Sequence, residues 1–524
     1  MPEDFLAYPE WSEYKKKGGL DPLGMQNSSI NLYQRLLPGI SNVTLRVRYY
    51  GLYAWLALIY AQRIGDTNPK TWQRFVRRAE AVYALTAQRR GNEGGVAGVL
   101  WAQRKMEADQ GSVIEFASHS DPGADGTPYL QQAWGAYGAA YASQLFEIGV
   151  YAVAKEHDIP VPSPELGEPL ARSFEEAAGP LADRFFETVH SGSVSRADLD
   201  AFSPLTPSTI NGDSVERQLY EDMLFAKRLR RPTDISRSQT LLLLLHVASH
   251  LTRTPNVAEA RWLLYAGADE NNQTLSVSDP ALSEQKRRWW VYQANDLLHY
   301  SYETLLKYGL DTLESYPAGI ALNVLISELV SDLSEAEQSW PDTWKSFLTD
   351  IPLAQNANDG SDPNSERSLV DSIAPTSGSS QRTTREAAWA ALKLLAVVEN
   401  RVQTGHAAIS TELGHLDTEG FHSLVTETSF LSGGKNEQFA RMVARIIEER
   451  VIKRHLWVAH RKFRYYNDYT FLIEVDDGRV RLRAENGPVL TNPRLGPSIT
   501  FLQDLHLINE HGATARGDAL LEAL

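Results

Sequence analysis

The stretch Leu36 to Leu56, LLPGISNVTLRVRYYGLYAWL, constrains the fold more than any other part of the sequence. On a helical projection from Arg46, Tyr49, Tyr50 and Tyr53 fall on its side, while Arg48 falls with Leu52 and Trp55 on the other. Both faces are apolar or aromatic, and a helix of that kind is stable only when covered nearly all round. The two guanidiniums it carries inside must each find a carboxylate, a carbonyl or an anionic ligand. With 66 Asp and Glu residues in the chain, internal carboxylates are the expected acceptors for Arg46 and Arg48, ahead of a bound phosphate or acidic ligand.

The same helical period runs through most of the chain. In Thr71 to Arg90, the residues Trp72, Phe75, Val76, Ala79, Val82, Tyr83 and Thr86 share one side, and Arg74, Arg77, Arg78 and Arg89 the other. The spacing predicts an amphipathic helix with a basic outer face. A second helix is expected from Pro280 to Tyr308, with Asp279 as N-cap and Gly309 as its stop. Its tryptophans and tyrosines read as core. Near the end the pattern changes: Thr470 to Val475 and Arg479 to Arg483 alternate around Asp476-Asp477-Gly478, a hairpin signal. Leu505 to Leu521, with a turn at Gly512 and with Thr514 and Gly517 before a last short helix, resembles the closing segment of winged-helix domains.

These elements predict a mainly α, multidomain protein with a small C-terminal α+β, winged-helix-like module. The expected units are a helical domain over 1–160, closed by the Pro-rich IPVPSPELGEP, and a second helical domain over 161–353. The polar segment 354–385, rich in Ser, Asn, Asp and Pro, reads as a flexible linker or loop. A helical region over 386–465 and the hairpin-containing module over 466–524 follow. The chain has no cysteine, which excludes disulfides and thiol chemistry and favours a reducing, cytoplasmic setting. Its first residues lack the apolar core of a signal peptide, and its greasiest runs are short of the roughly 20 residues a membrane helix needs.

A net charge of −15 is unevenly spread. Asn42 to Lys105 holds 11 Lys/Arg against 3 Asp/Glu, and Arg441 to Arg464 holds 8 against 2. Two basic islands in an acidic body can meet nucleic acid, an acidic partner subunit or the protein's own acidic surface. The second island includes Arg461, Lys462 and Arg464, followed by Tyr465 and Tyr466. With the winged-helix-like segment, it marks the C-terminal end for contact with DNA, RNA or a protein.

Complete catalytic constellations are missing. Gly434-Lys435 lacks the glycine spacing and following hydroxyl of a phosphate loop, and Ser283-x-x-Lys286 is a chance-level match. His246 and His250 are four apart, as hydrolytic zinc sites require, but Val247 stands where the general-base glutamate would follow. His406, His415, Asp417 and His422 form a second set, in a Gly- and Thr-containing segment able to fold around a metal. Neither set has defined third and fourth ligands, so no cofactor is expected. The hairpin carboxylates Asp468, Glu474, Asp476 and Asp477 lack an adjacent strand lysine.

The wider region Leu20 to Leu56, LDPLGMQNSSINLYQRLLPGISNVTLRVRYYGLYAWL, resembles the N-terminal signature of a family of large bacterial helical proteins associated with operons for defence against phage and mobile DNA. The resemblance covers under a tenth of the chain and carries no catalytic residues. It implies an accessory or scaffold subunit that acts with other protein subunits, such as an ATPase or a nuclease. The expected function is therefore a non-catalytic subunit of a defence-type complex that binds partner proteins and nucleic acid, with no membrane contact. The alternative is a metal-dependent hydrolase or nuclease using His246 and His250 or the His406 set.

Overall fold

One helix, Pro280–Leu313, forms the axis of the protein. The computed structural model describes residues 21–91, 93–123, 126–154, 156–335, 340–378, 381–403, 408–414 and 422–523. It is mainly helical, with 62% helix and 6% strand. In the axial helix Asp279 accepts from the Leu282 N–H at 2.8 Å, and Pro280 takes a first-turn position that needs no donor. Every residue from Trp289 to Asp311 is buried, because helices Gln26–Leu36, Pro232–Leu251, Val257–Ala266 and Arg385–Gln403 all pack around it. The helix continues through Gly309 rather than stopping there. An interior glycine costs about 1 kcal/mol; the buried Leu310, the 2.8 Å Lys307–Asp311 pair and the Thr383 N–H bonded to Asp311 at 2.6 Å offset it.

The aromatic segment forms a helix over Arg48–Arg63 that is buried on all sides for most of its length. Arg46 lies just before it. Its Nε and Nη2 reach Asp504 at 3.0 and 2.8 Å, and its Nη1 reaches Glu93 at 3.2 Å and the Gly94 carbonyl at 2.7 Å. Arg48 bonds both oxygens of Glu216, at 2.9 and 3.0 Å. Its Nη1 also donates to the Pro204 and Thr206 carbonyls and to Thr209 Oγ1. Gly51 admits the Tyr220 hydroxyl, since a Cβ there would lie 2.0 Å from it.

Among the described residues, four small antiparallel sheets decorate the helices. The hairpin pairs Ile473–Asp476 with Arg479–Leu482, matching Asp476 with Arg479. Asp477 and Gly478 form its two-residue loop with φ of +48° and +72°, as a type I′ turn requires. A third strand comes from Ile320–Ala321, so the hairpin is tied to the middle of the chain. The last hairpin, Ile508–Asn509 with Gly512–Ala513, forms its own sheet. The preceding helix, Leu495–Asp504, ends just before it, and Thr514 caps Ala515–Glu522 by accepting from the Gly517 N–H.

The described residues of 354–385, 354–378 and 381–385, differ from the flexible linker their composition predicted. Asn356 and Asn358 bond the carbonyls of Asp269 and Ala268, Ser365 caps helix Glu366–Ile373, and Leu369, Val370 and Ile373 are buried. The segment's Asn and Asp side chains bond backbone N–H groups two residues on, at Asn358, Ser361 and Asn364. The polar residues that suggested disorder therefore satisfy a folded loop. Strand Tyr151–Ala152 pairs with Val161–Pro162 across the expected boundary at 160, and buried apolar residues from Leu23 to Ile508 form one connected cluster.

Truncating Arg48 to alanine strands Glu216 in the core. Arg48→Ala is expected to lower the unfolding free energy by about 3–5 kcal/mol, and Arg48→Lys to recover only part of it, because an ammonium cannot span five acceptors. Urea denaturation followed by circular dichroism reads both changes.

Candidate nucleic-acid interface

The second basic island folds as helix Phe439–Arg445, a wide π-helical stretch Ile446–Ile452, and helix Lys453–Tyr466. Asn467, at φ +52°, ends the last helix in the left-handed conformation, with its N–H on the Phe463 carbonyl at 3.0 Å. The inner side of the helix buries Arg454, His455, Val458 and Ala459. The other side and the following turn leave Trp457, Phe463, Tyr465, Tyr466 and Tyr469 exposed, Tyr465 and Tyr466 at 68% and 72%. Soluble surfaces rarely gather large aromatics in this way. Arginines sit among them: the Arg461 guanidinium lies 5.4 Å from the Trp457 ring, and that of Arg464 lies 5.9 Å from Tyr465.

The helix is held by the loop Asp21 to Gly24, the DPLG of the N-terminal signature. Lys462 Nζ donates to the Asp21 carbonyl at 2.9 Å, His455 Nδ1 meets the Pro22 carbonyl at 3.1 Å, and Arg454 Nε donates to the Leu23 carbonyl at 2.8 Å. Gly24, at φ +67°, lets the loop approach, since a Cβ there would lie 3.0 Å from Val458 and 3.1 Å from Arg454. Between loop and helix opens a pocket of about 120 Å³ lined by Asn27, Arg454, Trp457, Arg461, Lys462 and Tyr466. Burial, with Arg450 and Arg461 nearby, pushes Arg454 down to about 10, and burial lowers Lys462. An anion in the pocket would relieve both effects.

The first island is used differently. Arg77, placed on the outer face by its periodicity, is buried and donates to the carbonyls of Ser120, Gln132, Ala133 and Leu130, because Ser120 and the stretch 130–133 cover that side of the helix. Arg78 chelates Asp121, and Arg89 chelates Asp200. Arg74 remains exposed. The expected basic face is thus largely neutralised within the chain.

Of the histidine sets, His250 Nε2 lies 3.2 Å from Asp269, and His246 is half-buried and shifted down by burial. No further metal-binding side chain joins the two among the described residues. His406, His415 and Asp417 lie outside the described residues, while His422 Nδ1 lies 3.2 Å from Glu427. Sequence reading missed a buried polar group on the axial helix, Asp296, His299 and Glu303, hidden in a stretch dense with aromatics. Its signal was the spacing: three ionisable residues at i, i+3 and i+7 on one helical face.

No family model, curated protein or solved structure matches this chain.

His455 offers a pH test of the loop-to-helix contact. Its Nε2 accepts from the Leu472 N–H at 2.9 Å while Nδ1 serves Pro22, which requires the neutral Nδ1–H form. Burial depresses its pKa to about 4. The unfolded chain binds the extra proton first, so stability held above pH 6.5 falls as the pH drops towards 4, by roughly 3 kcal/mol in all. His455→Gln is expected to flatten that part of a stability–pH curve, and a slope identical to wild type would remove His455 from the account.

Proposed function

We propose that this chain is a non-catalytic subunit that binds single-stranded nucleic acid on the aromatic and cationic face of helix Lys453–Tyr466, within a bacterial defence-type assembly of several proteins. The observation that carries this reading is the exposure of Trp457, Tyr465 and Tyr466 beside Arg461 and Arg464, with Trp457, Arg461, Lys462 and Tyr466 lining one pocket. Nucleic-acid bases stack on aromatic faces in a sequence-tolerant way, and cations among the rings hold the phosphates. A duplex hides its bases, so rings presented in this manner favour an unpaired strand. The acidic remainder of the chain restricts phosphate contact to this face. Membership of a defence assembly rests on the resemblance of Leu20 to Leu56, whose DPLG loop supports the basic helix. Among the described residues no helix is long and apolar enough to cross a membrane.

Fluorescence anisotropy with labelled single-stranded DNA and RNA oligonucleotides tests the proposal. Tyr465→Ala with Tyr466→Ala is expected to weaken binding at least ~10-fold, since each stacked base contributes about 1–3 kcal/mol. Arg461→Ala with Arg464→Ala should reduce the slope of log affinity against log salt by about 1.4, roughly 0.7 for each phosphate no longer neutralised. No binding at low salt, or variants that bind like wild type, would refute the reading.

A further inference from the structure

The axial helix and the DPLG loop bring three metal-capable side chains together in the interior. One oxygen of Asp21, one ring nitrogen of His299 and one oxygen of Glu303 all lie within 4.8 Å of one another, and all three residues are buried. His299 has no exposure at all, and Glu303 and Asp21 retain 2% and 7%. Such groups should be saturated with hydrogen bonds, yet Asp21 Oδ2 and both nitrogens of His299 have no aligned hydrogen-bond partner. The separation of His299 Nε2 from Glu303 Oε1 is only 2.8 Å. A short contact out of line with the ring N–H is how two neighbouring ligands of one ion sit, since cis ligands at 2.0–2.1 Å lie about 2.9 Å apart.

Hydrogen-bond donors hold both carboxylates in place. Asp21 Oδ1 is fixed by the N–H groups of Met25 and Gln26 at 3.0 and 3.2 Å, which leaves Oδ2 to point elsewhere. Glu303 is oriented by Gln26 Nε2 at 3.2 Å and by the Val489 N–H at 3.1 Å. On the far side of the imidazole, Asp296 Oδ1 lies 3.5 Å from His299 Nδ1, close enough to interact with its charge but not aligned as a hydrogen bond. Asp296 is itself held by Thr491 Oγ1 at 2.8 Å and by Arg261.

We propose that Asp21, His299 and Glu303 bind a divalent transition-metal ion, zinc or manganese, that fastens the DPLG loop to the axial helix. One imidazole with two carboxylates is a borderline donor set suited to these ions. The role is structural. The loop so fastened carries the carbonyls on which Arg454, His455 and Lys462 rest, so the ion stabilises the support of the basic helix. This site is separate from His246 and His250 and does not depend on nucleic-acid binding.

Metal analysis of the untagged protein, purified without chelator, tests the proposal. About one zinc or manganese ion per chain is expected. Dialysis against EDTA should lower the melting temperature, and added Zn²⁺ or Mn²⁺ should restore it. Asp21→Asn preserves the acceptor for the Met25 and Gln26 N–H groups, and Glu303→Gln keeps one for its own donors; each should bind Zn²⁺ at least ~10-fold more weakly and lose the EDTA response while its circular dichroism stays native. His246→Ala with His250→Ala should retain the ion. A wild-type protein without metal, unmoved by EDTA or by either ion, with ¹⁵N shifts showing His299 protonated on both nitrogens, would overturn the proposal in favour of a buried imidazolium.

Discussion

Arg48 and Glu216, 168 residues apart in sequence, lie together in the core, and Arg46 meets Asp504 across 458 residues. Both guanidiniums are almost fully covered, so their charge must be met inside or the aromatic helix could not be buried. The same condition recurs along the axial helix, where Asp296 holds Arg261 and Lys307 holds Asp311. Bidentate geometry suits this role, because a planar fork accepts only a few orientations of its partner and so fixes the register of distant elements. Apolar area supplies the driving force of folding here as elsewhere. The buried pairs specify which segments come together.

This internal use of arginine also explains where the protein presents charge outward. On helix Pro69–Arg90, loops and neighbouring acids absorb Arg77, Arg78 and Arg89, and little cationic surface remains. On helix Lys453–Tyr466 the cations sit beside exposed rings, and the inward members of the set bond backbone carbonyls of the Asp21–Gly24 loop. The two islands look alike in sequence and differ in what the fold sets against them.

Local features were legible in the sequence. The helical period, the Asp279-Pro280 start and the Asp477-Gly478 turn depend on residues within a few positions of one another, and the structure shows each of them. That Arg46 and Arg48 need acceptors also follows from the apolar faces around them, but the identity of Glu93, Glu216 and Asp504 does not. The segment 354–385 misled because Asn, Asp and Ser serve turns and caps as readily as they serve disorder. Arg77 misled because periodicity says which side of a helix is polar, not whether a loop covers it. Asp21 and His299 were beyond reach for the same reason as the acceptors: their meeting joins residues nearly three hundred positions apart.

We propose that the protein binds its ligand on the aromatic and cationic face resting on the DPLG loop. Ultraviolet cross-linking of the full chain to a single-stranded oligonucleotide, with the modified peptides identified by mass spectrometry, tests it most directly. Adducts are expected at Trp457, Tyr465 or Tyr466 and should disappear under competing unlabelled strand. Adducts confined to the Arg74 side of helix Pro69–Arg90, or no specific adduct at all, would contradict it.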